Sequence, residues 1–366
     1  MAANFELWLT DNTGAVRLAL LDRMLAFEYA RVQNDVGAWW VELPADFDVS
    51  LITVDGRVEF WRGWDVGKLS LDFVGFIRRL RFEMDKDGQE IITISGPDAN
   101  DILDRRIVAY AAGTAEAEKT AEADNIISSI FRQNHNTTAT DTDRDMSPYG
   151  FTFEGFQSQA PSITKAFSWR NCLKTMQDVA VGSTTQVYFG LEPLSASEFE
   201  FRTRVGQWGQ DRSDNTSSAF LQFGPQWGNV ENASLEYDYT EEVTYVYAGG
   251  QGEQSERTIV EVEAATRSAR SPINRREAFA DARSDAGTAG VTAAGRRRLT
   301  DGKPKLRFRC DLLDTEQARY QRDWHFGDKV AVSYHGRQFA GPILAVQVGM
   351  DQEGNESIRA RLEVEE

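Results

Sequence analysis

Residues 73–95, FVGFIRRLRFEMDKDGQEIITIS, and residues 339–361, FAGPILAVQVGMDQEGNESIRAR, run alike without a gap. At one constant offset Phe73 matches Phe339, Gly75 matches Gly341, Ile77 matches Ile343 and Met84 matches Met350. Asp85, Gly88, Glu90 and Ile92 then meet Asp351, Gly354, Glu356 and Ile358, and apolar Leu80 and Phe82 meet Val346 and Val348. The matches before the shared MDxxGxE turn fall on alternate positions, as a hairpin with one buried face requires. Upstream, Arg57-Val58-Glu59-Phe60 stands where Lys329-Val330-Ala331-Val332 stands, after a loop six residues longer in the first copy. The chain therefore contains a duplicated β unit, one copy near each end, and a trimer of it offers six such units.

The remaining sequence fits an α+β, predominantly β chain. Phe5–Leu9, Leu25–Val32 and Ala38–Leu43 alternate between turn signals, and strands at this density point to an antiparallel sandwich or barrel. Residues 1–110 thus read as a first tube-like antiparallel β-barrel. From Thr114 the run AEAEKTAEADNIISSIFRQN sets Ala121, Ile126, Ile127, Ile130 and Phe131 at helical spacing. A second helix over Ser168–Ala180 places Trp169, Cys172, Leu173, Met176, Val179 and Ala180 on one face, packed on QVYFGLEPL and EFEFRTRVG. Residues 111–228 are accordingly an inserted α+β domain. The strands of 229–269 and 324–366 form the second barrel. Residues 270–323, with 13 Lys/Arg against 8 Asp/Glu in a chain of net charge −17, form a small basic accessory domain with a helix expected in NRREAFADARSD.

Chemistry-bearing motifs are sparse. GxSxG, HExxH, GxGxxG and GxxxxGK[ST] do not occur, and AGGQGEQ reads as a hairpin turn. His325 and His335 lie at the two ends of the strand KVAVSY, with no cysteine nearby, and His135 lies in an Asn/Thr loop. Asp141, Asp143 and Asp145 alternate as in a calcium loop, but Met146 and Thr152 stand where such a loop needs glycine and glutamate. Cys172 and Cys310, far apart and without a CxxC partner, read as buried free thiols. Arg296-Arg297-Arg298, on a segment that also carries Glu277, Asp281 and Asp285, reads as a solvated or partner-docking face and not a DNA site, because no aromatic ladder accompanies it. No catalytic, cofactor-binding or metal-binding residue is assigned. The N-terminus lacks the pattern of a signal peptide and no apolar run reaches membrane length, so a soluble chain made in a cytoplasm is expected.

Several stretches, in order, resemble the tail hub proteins of long-tailed bacteriophages (siphoviruses): GRVEFW with FVGFIRRL, SGPDANDILDRRIV, SWRNCLKTM, GQDRS, GNVENASLEYDYTEEVTYVYAGGQGEQSER, RREAFADAR and FGDKVAVSY. That family is related in fold to contractile-phage baseplate hubs and to the base of type VI secretion spikes. The resemblance implies a virion structural protein of the tail tip, not an enzyme, whose paired barrels form a homotrimeric, pseudo-sixfold ring. Its partners would be a distal tail protein and tail tube above, receptor-binding, fibre or spike proteins below, and a tape-measure protein. It would be assembled in the bacterial host cytoplasm without binding membrane by itself. During genome ejection DNA would pass through without specific binding, and an acidic lumen wall would repel phosphate. The alternatives are a hexameric distal-tail or tube-like adaptor, a cell-wall-degrading tail enzyme using two carboxylates as acid and base, and a carbohydrate-binding tip module using some of the nine tryptophans. Trp39 and Trp40, within a strand, fit a core or interface better.

Overall fold

The computed structural model describes residues 3–65, 67–84, 88, 90–109, 117–139, 141–167, 169–252, 257–283 and 287–365. The chain divides into two units, Met1–Asn232 with Cys310–Glu363, and Ala233–Arg309 with Val364–Glu366.

In the first unit the N-terminal alternation forms β1 (Asn4–Thr10), hydrogen-bonded to β2 (Arg17–Leu20). Then come β3 (Ala26–Val32), β4 (Ala38–Pro44), β5 (Arg57–Asp65), β6 (Lys68–Phe76), β7 (Arg79–Met84) and β8 (Glu90–Pro97). Period-two alternation buries Phe27 and Tyr29 of β3 and Trp39, Val41 and Leu43 of β4 on one sheet face. That face packs on the sheet β2-β1-β5-β6, with Tyr29 and Phe60 rings 4.9 Å apart and Trp39 and Phe60 5.8 Å apart. The glycine that the repeat retains at position 75 has a packing reason here: a Cβ there would lie 2.0 Å from the Trp39 indole nitrogen.

The insert begins with α1 (Asp101–Asp104), β9 (Ala117–Glu122), α2 (Ala123–His135), β10 (Phe151–Phe153) and β11 (Ser162–Phe167). It continues with α3 (Cys172–Gly182), β12 (Val187–Pro193) and β13 (Phe199–Val205). Asn171 caps α3 by accepting the Lys174 amide at 2.9 Å. Ile126, Ile127, Ile130 and Phe131 of α2 meet Leu173, Met176 and Val179 of α3 over Phe189, Phe199 and Phe201. The helix expected from Thr114 begins at Ala123. Residues 117–122 are instead a strand, paired antiparallel with β11, whose Thr164 hydroxyl meets that of Thr120 at 2.8 Å. The Asn/Thr run expected to hold His135 in a loop likewise begins buried, at His135 and Asn136.

After β14 (Gln222–Phe223), β15 (Val230–Asp238) leads into the second unit. There β16 (Tyr245–Gly249) and β17 (Ile259–Glu263) form the hairpin expected at AGGQGEQ, and α4 (Ala265–Ser268), β18 (Glu277–Asp281) and α5 (Gly287–Asp301) follow. The helix expected in NRREAFADARSD is corrected: Glu277–Asp281 is a strand, parallel to β16. Ala278 and Ala280 point toward the core while Glu277, Phe279 and Asp281 are exposed, a period of two that tertiary pairing enforces over local helix propensity. The helix of this unit is α5, whose Val291, Ala294 and Leu299 are buried.

β19 (Lys305–Leu313) returns to the first unit, and β20 (Lys329–Tyr334), β21 (Arg337–Met350) and β22 (Glu356–Glu365) complete the chain. The unit boundary falls inside β15 and β19. The duplication holds in register over most of both strand pairs, although β21 runs unbroken where β6 and β7 are separate strands. Leu80↔Ile94, Phe82↔Ile92 and Met84↔Glu90 in the β7–β8 pair recur as Val346↔Ala360, Val348↔Ile358 and Met350↔Glu356 in the β21–β22 pair. Val58↔Gly75 and Phe60↔Phe73 recur as Val330↔Gly341 and Val332↔Phe339. Gly88 and Gly354 also agree, at φ 79° and 81°, where a side chain would be strained.

The duplicated units are not closed barrels. One sheet runs in the order β15-β19-β22-β21-β3-β4-β8-β7, where β15 and β19 contribute Val230–Asn232 and Cys310–Leu313 to the first unit. The reason is in the pairing. The free side of β21, which would close its own copy, bonds instead to β3 of the other copy, with Val346↔Arg31, Val348↔Tyr29 and Met350↔Phe27. Along this path the ten-stranded sheet is two four-strand segments, β15-β19-β22-β21 and β3-β4-β8-β7, laid end to end, with β20 attached to β21 and β14 to β20 off the path.

Candidate assembly interface

The junction between the copies is held by buried polar groups. Asp72 accepts hydrogen bonds from the Tyr29 and Tyr320 hydroxyls at 2.6 and 2.9 Å, and Arg31 lies 3.5 Å from it. Burial, and then the Asp72 charge, push both phenols well above their ordinary range, so both remain donors. Arg62, fully buried, bonds Glu356 at 2.7 Å and the Tyr320 carbonyl at 2.8 Å.

At its two ends the sheet is open. Among the described residues β7 bonds only β8, and β15 bonds only β19. Where Val346 and Val348 are fully buried beneath the β3 junction, their counterparts Leu80 and Phe82 are 39% and 63% exposed, and Met84 is 67% exposed. The opposite face of the edge strand carries Arg79, Arg81 and Glu83, the last two ion-paired at 2.5 Å. An edge strand with an apolar face in the open is a template for another strand. The sequence alternates identically in both copies, so alternation alone could not signal which copy is covered; the difference comes from the strand beside it.

The sheet face turned away from the core is mixed in charge. Arg79, Arg81, Arg359 and Arg361 stand on it with Glu28, Glu42, Glu83 and Glu363. At two levels each copy carries one arginine, on opposite strands: Arg79↔Ser95 against Ala345↔Arg361, and Arg81↔Thr93 against Gln347↔Arg359. The acidity of the chain is not concentrated here.

The residues weighed from sequence lie apart from one another. His335 and Gly336, both at positive φ, form the two-residue turn of the β20–β21 hairpin, and His325 precedes β20 with Nδ1 3.7 Å from Asp328. His135 is not in a loop. It ends α2, fully buried, stacks on Phe131 at 5.6 Å, and donates from Nε2 to the Ile102 carbonyl at 3.1 Å. Burial, with Arg106 adding to it, pushes its pKa down to about 3. Asp141 and Asp145 cap local turns by accepting the Asp143 and Ser147 amides, and no group of metal-ligating side chains converges among the described residues. Arg296, Arg297 and Arg298 lie on α5, whereas Glu277 and Asp281 lie on β18 and Asp285 falls outside the described residues. Cys172 and Cys310 are buried free thiols, each pushed up to about 12 by burial. Trp39 is buried in the core, whereas Trp169 is 53% exposed. No helix among the described residues is long and apolar enough to cross a membrane.

Comparisons with known proteins agree with this architecture. A tail protein from Neisseria meningitidis MC58 is similar over 99% of this chain and 97% of its own, with a TM-score of 0.52 at 11% identity. The 43 kDa tail protein of prophage MuSo2 from Shewanella oneidensis is similar over 99% and 98%, with a TM-score of 0.55 at 9% identity. No curated protein sequence matches. The family model described as Siphovirus ReqiPepy6 Gp37-like protein matches residues 4–362. The chain therefore belongs to the siphovirus ReqiPepy6 Gp37-like family and has the fold of phage tail proteins.

Proposed function

We propose that the protein is the hub of a phage tail tip, a trimeric pseudo-sixfold ring that joins the hexameric tail tube to the receptor-binding and cell-puncturing parts and lines the DNA exit channel. One observation carries the reading. The sheet is a tandem of two register-matched segments, joined within the chain by β21·β3 and open at β7 and β15. In the repeat β7 corresponds to β21, and by position in the sheet β15 corresponds to β3. A β7·β15 pairing between chains would therefore repeat the internal junction, and a head-to-tail contact of this kind closes when the rotation per step divides a circle. Two segments per chain and six around the ring make three chains. The sheet face away from the core would then line the channel, and its balanced arginines and glutamates give a wall without net attraction for phosphate in place of the acidic wall expected from overall charge.

Electron microscopy of isolated tails and mass photometry of the purified chain test the copy number. Three copies per ring are expected; a ring of six would replace the hub with a hexameric adaptor. Clearing of host peptidoglycan by the purified chain would count against a purely structural role.

A further inference from the structure

The duplicated unit supplies its own control for one buried cation. Lys329, which opens β20, has Nζ 3.4 Å from Asp211, a carboxylate contributed from outside the repeat. Its counterpart Arg57, which opens β5, is only 3% exposed, yet no carboxylate among the described residues forms an ion pair with it. The Arg57 guanidinium lies 5.1 Å and 5.4 Å from the rings of Phe76 and Phe199. Nη1 donates to the Ala196 carbonyl, and Nε has no hydrogen-bond partner among the described residues. Ring faces recover less for a cation than taking an ion out of water costs. Burial accordingly pulls its pKa down to about 10.

Arg57 lines a cavity of about 600 Å³ whose other walls include Phe76, Ile102, Met146, Tyr149 and Phe151. The neighbouring cation on this wall, Arg105, is already bonded to Asp55 and Asp101. We propose that this cavity binds a carboxylate carried on an apolar body, with Arg57 as its counter-charge in the place that Asp211 fills for Lys329. Two features favour a single carboxylate over phosphate. Asp55 and Glu198 also line the cavity and oppose a dianion, and the remaining walls are largely apolar, suited to an aliphatic or aromatic group beside the anion. The carboxylate belongs either to a small acid or to an Asp or Glu side chain of a neighbouring protein.

Calorimetric titration and thermal shift of the full chain distinguish these. The probes are phenylacetate, phenylacetamide, inorganic phosphate, and the capped peptide acetyl-Phe-Glu-Leu-amide with its Gln counterpart. Saturable binding of phenylacetate or the Glu peptide, at least tenfold tighter than the matching amide and than phosphate, is expected. A tighter free acid identifies a small-molecule site and a tighter peptide identifies a protein-docking site. Arg57→Gln should weaken binding at least tenfold. Because that variant removes a buried group and can fail to fold, Ser197→Asp provides a second arm: Ser197 follows the Ala196 carbonyl and lines the same cavity. An internal carboxylate there should raise Tm and abolish probe binding. Equal binding of acid and amide, retention of binding in folded Arg57→Gln, or no carboxylate binding at millimolar concentration overturns the proposal.

Discussion

Aspartate placed at two equivalent positions of the repeat should give opposite phenotypes. Phe82 and Val348 occupy the same register, opposite Ile92 and Ile358. Val348 is fully buried, however, whereas Phe82 is 63% exposed. Val348→Asp forfeits about 1.5–3 kcal/mol of burial and places a carboxylate among apolar side chains at a further cost of several kcal/mol. Against a total stability of about 5–15 kcal/mol, that variant should lose most of its folded population. Phe82→Asp removes a ring that the isolated chain leaves in water, so Tm should change little, within about 0.5 kcal/mol. Its effect should fall on assembly. A phenylalanine of roughly 200 Å² that is 63% exposed has about 130 Å² still to bury, worth about 3 kcal/mol or roughly a hundredfold in each inter-chain association constant. Scanning fluorimetry for Tm, and mass photometry across a concentration series for ring formation, measure the two effects separately. Rings that persist unchanged in Phe82→Asp, or a fall in Tm matching that of Val348→Asp, would refute the edge-pairing argument.

Three further outcomes are expected. His135, buried and neutral with its pKa held near 3 against an ordinary 6.5, contributes stability that is complete above pH 6.5 and is lost as pH falls toward 3, up to about 5 kcal/mol; His135→Phe should flatten the decline in Tm between pH 7 and pH 4, and an unchanged slope contradicts this. Gly75→Ala sets a Cβ 2.0 Å from the Trp39 indole and should cost about 1–3 kcal/mol by overpacking, whereas Gly88→Ala, at φ 79° with nothing nearby, should cost about 1 kcal/mol through backbone strain alone; urea midpoints compare them. Arg62→Met leaves Glu356 largely buried without its cation and should cost about 3–5 kcal/mol, of which Arg62→Met/Glu356→Leu should restore a large part; equal Tm in the single and double variants removes the argument.

The duplicated hairpin was legible in the sequence because its information is local. Alternation, a glycine in the turn and a fixed spacing suffice, and the structure reproduces the pairing in register. The partner of each free strand edge was not legible. Nothing in FVGFIRRLRFEM or FAGPILAVQVGM states that β21 continues onto β3 while β7 stops the sheet, because both edges carry the same pattern. Glu277–Asp281 failed for a related reason. Its Glu and two Ala, with Arg275, Arg276 and Arg283 flanking them, favour a helix as an isolated segment, and the parallel bonds to β16 that make it a strand join residues about thirty positions apart. His135 was misplaced because a polar Asn/Thr run hides the last turn of α2, whose apolar stripe ends on Phe131.

What the copies share fixes the fold, and where they diverge points to function. Had β7 merely been a strand at a protein edge, charges alternating with short polar residues on both faces would have sufficed to keep other chains away. Charge stands only on the face of Arg79, Arg81 and Glu83, while Leu80, Phe82 and Met84 stay apolar and open on the face that continues the core. An edge of this kind in a free monomer invites indiscriminate pairing unless a particular strand covers it. The internal β21·β3 junction shows which geometry satisfies such an edge: it lays Val346 and Val348 against Arg31 and Tyr29 and buries both valines completely. The same geometry, offered to a second chain, would cover Leu80 and Phe82 without a new interface design, so the proposed ring would extend a pairing that folding has already made once within each chain.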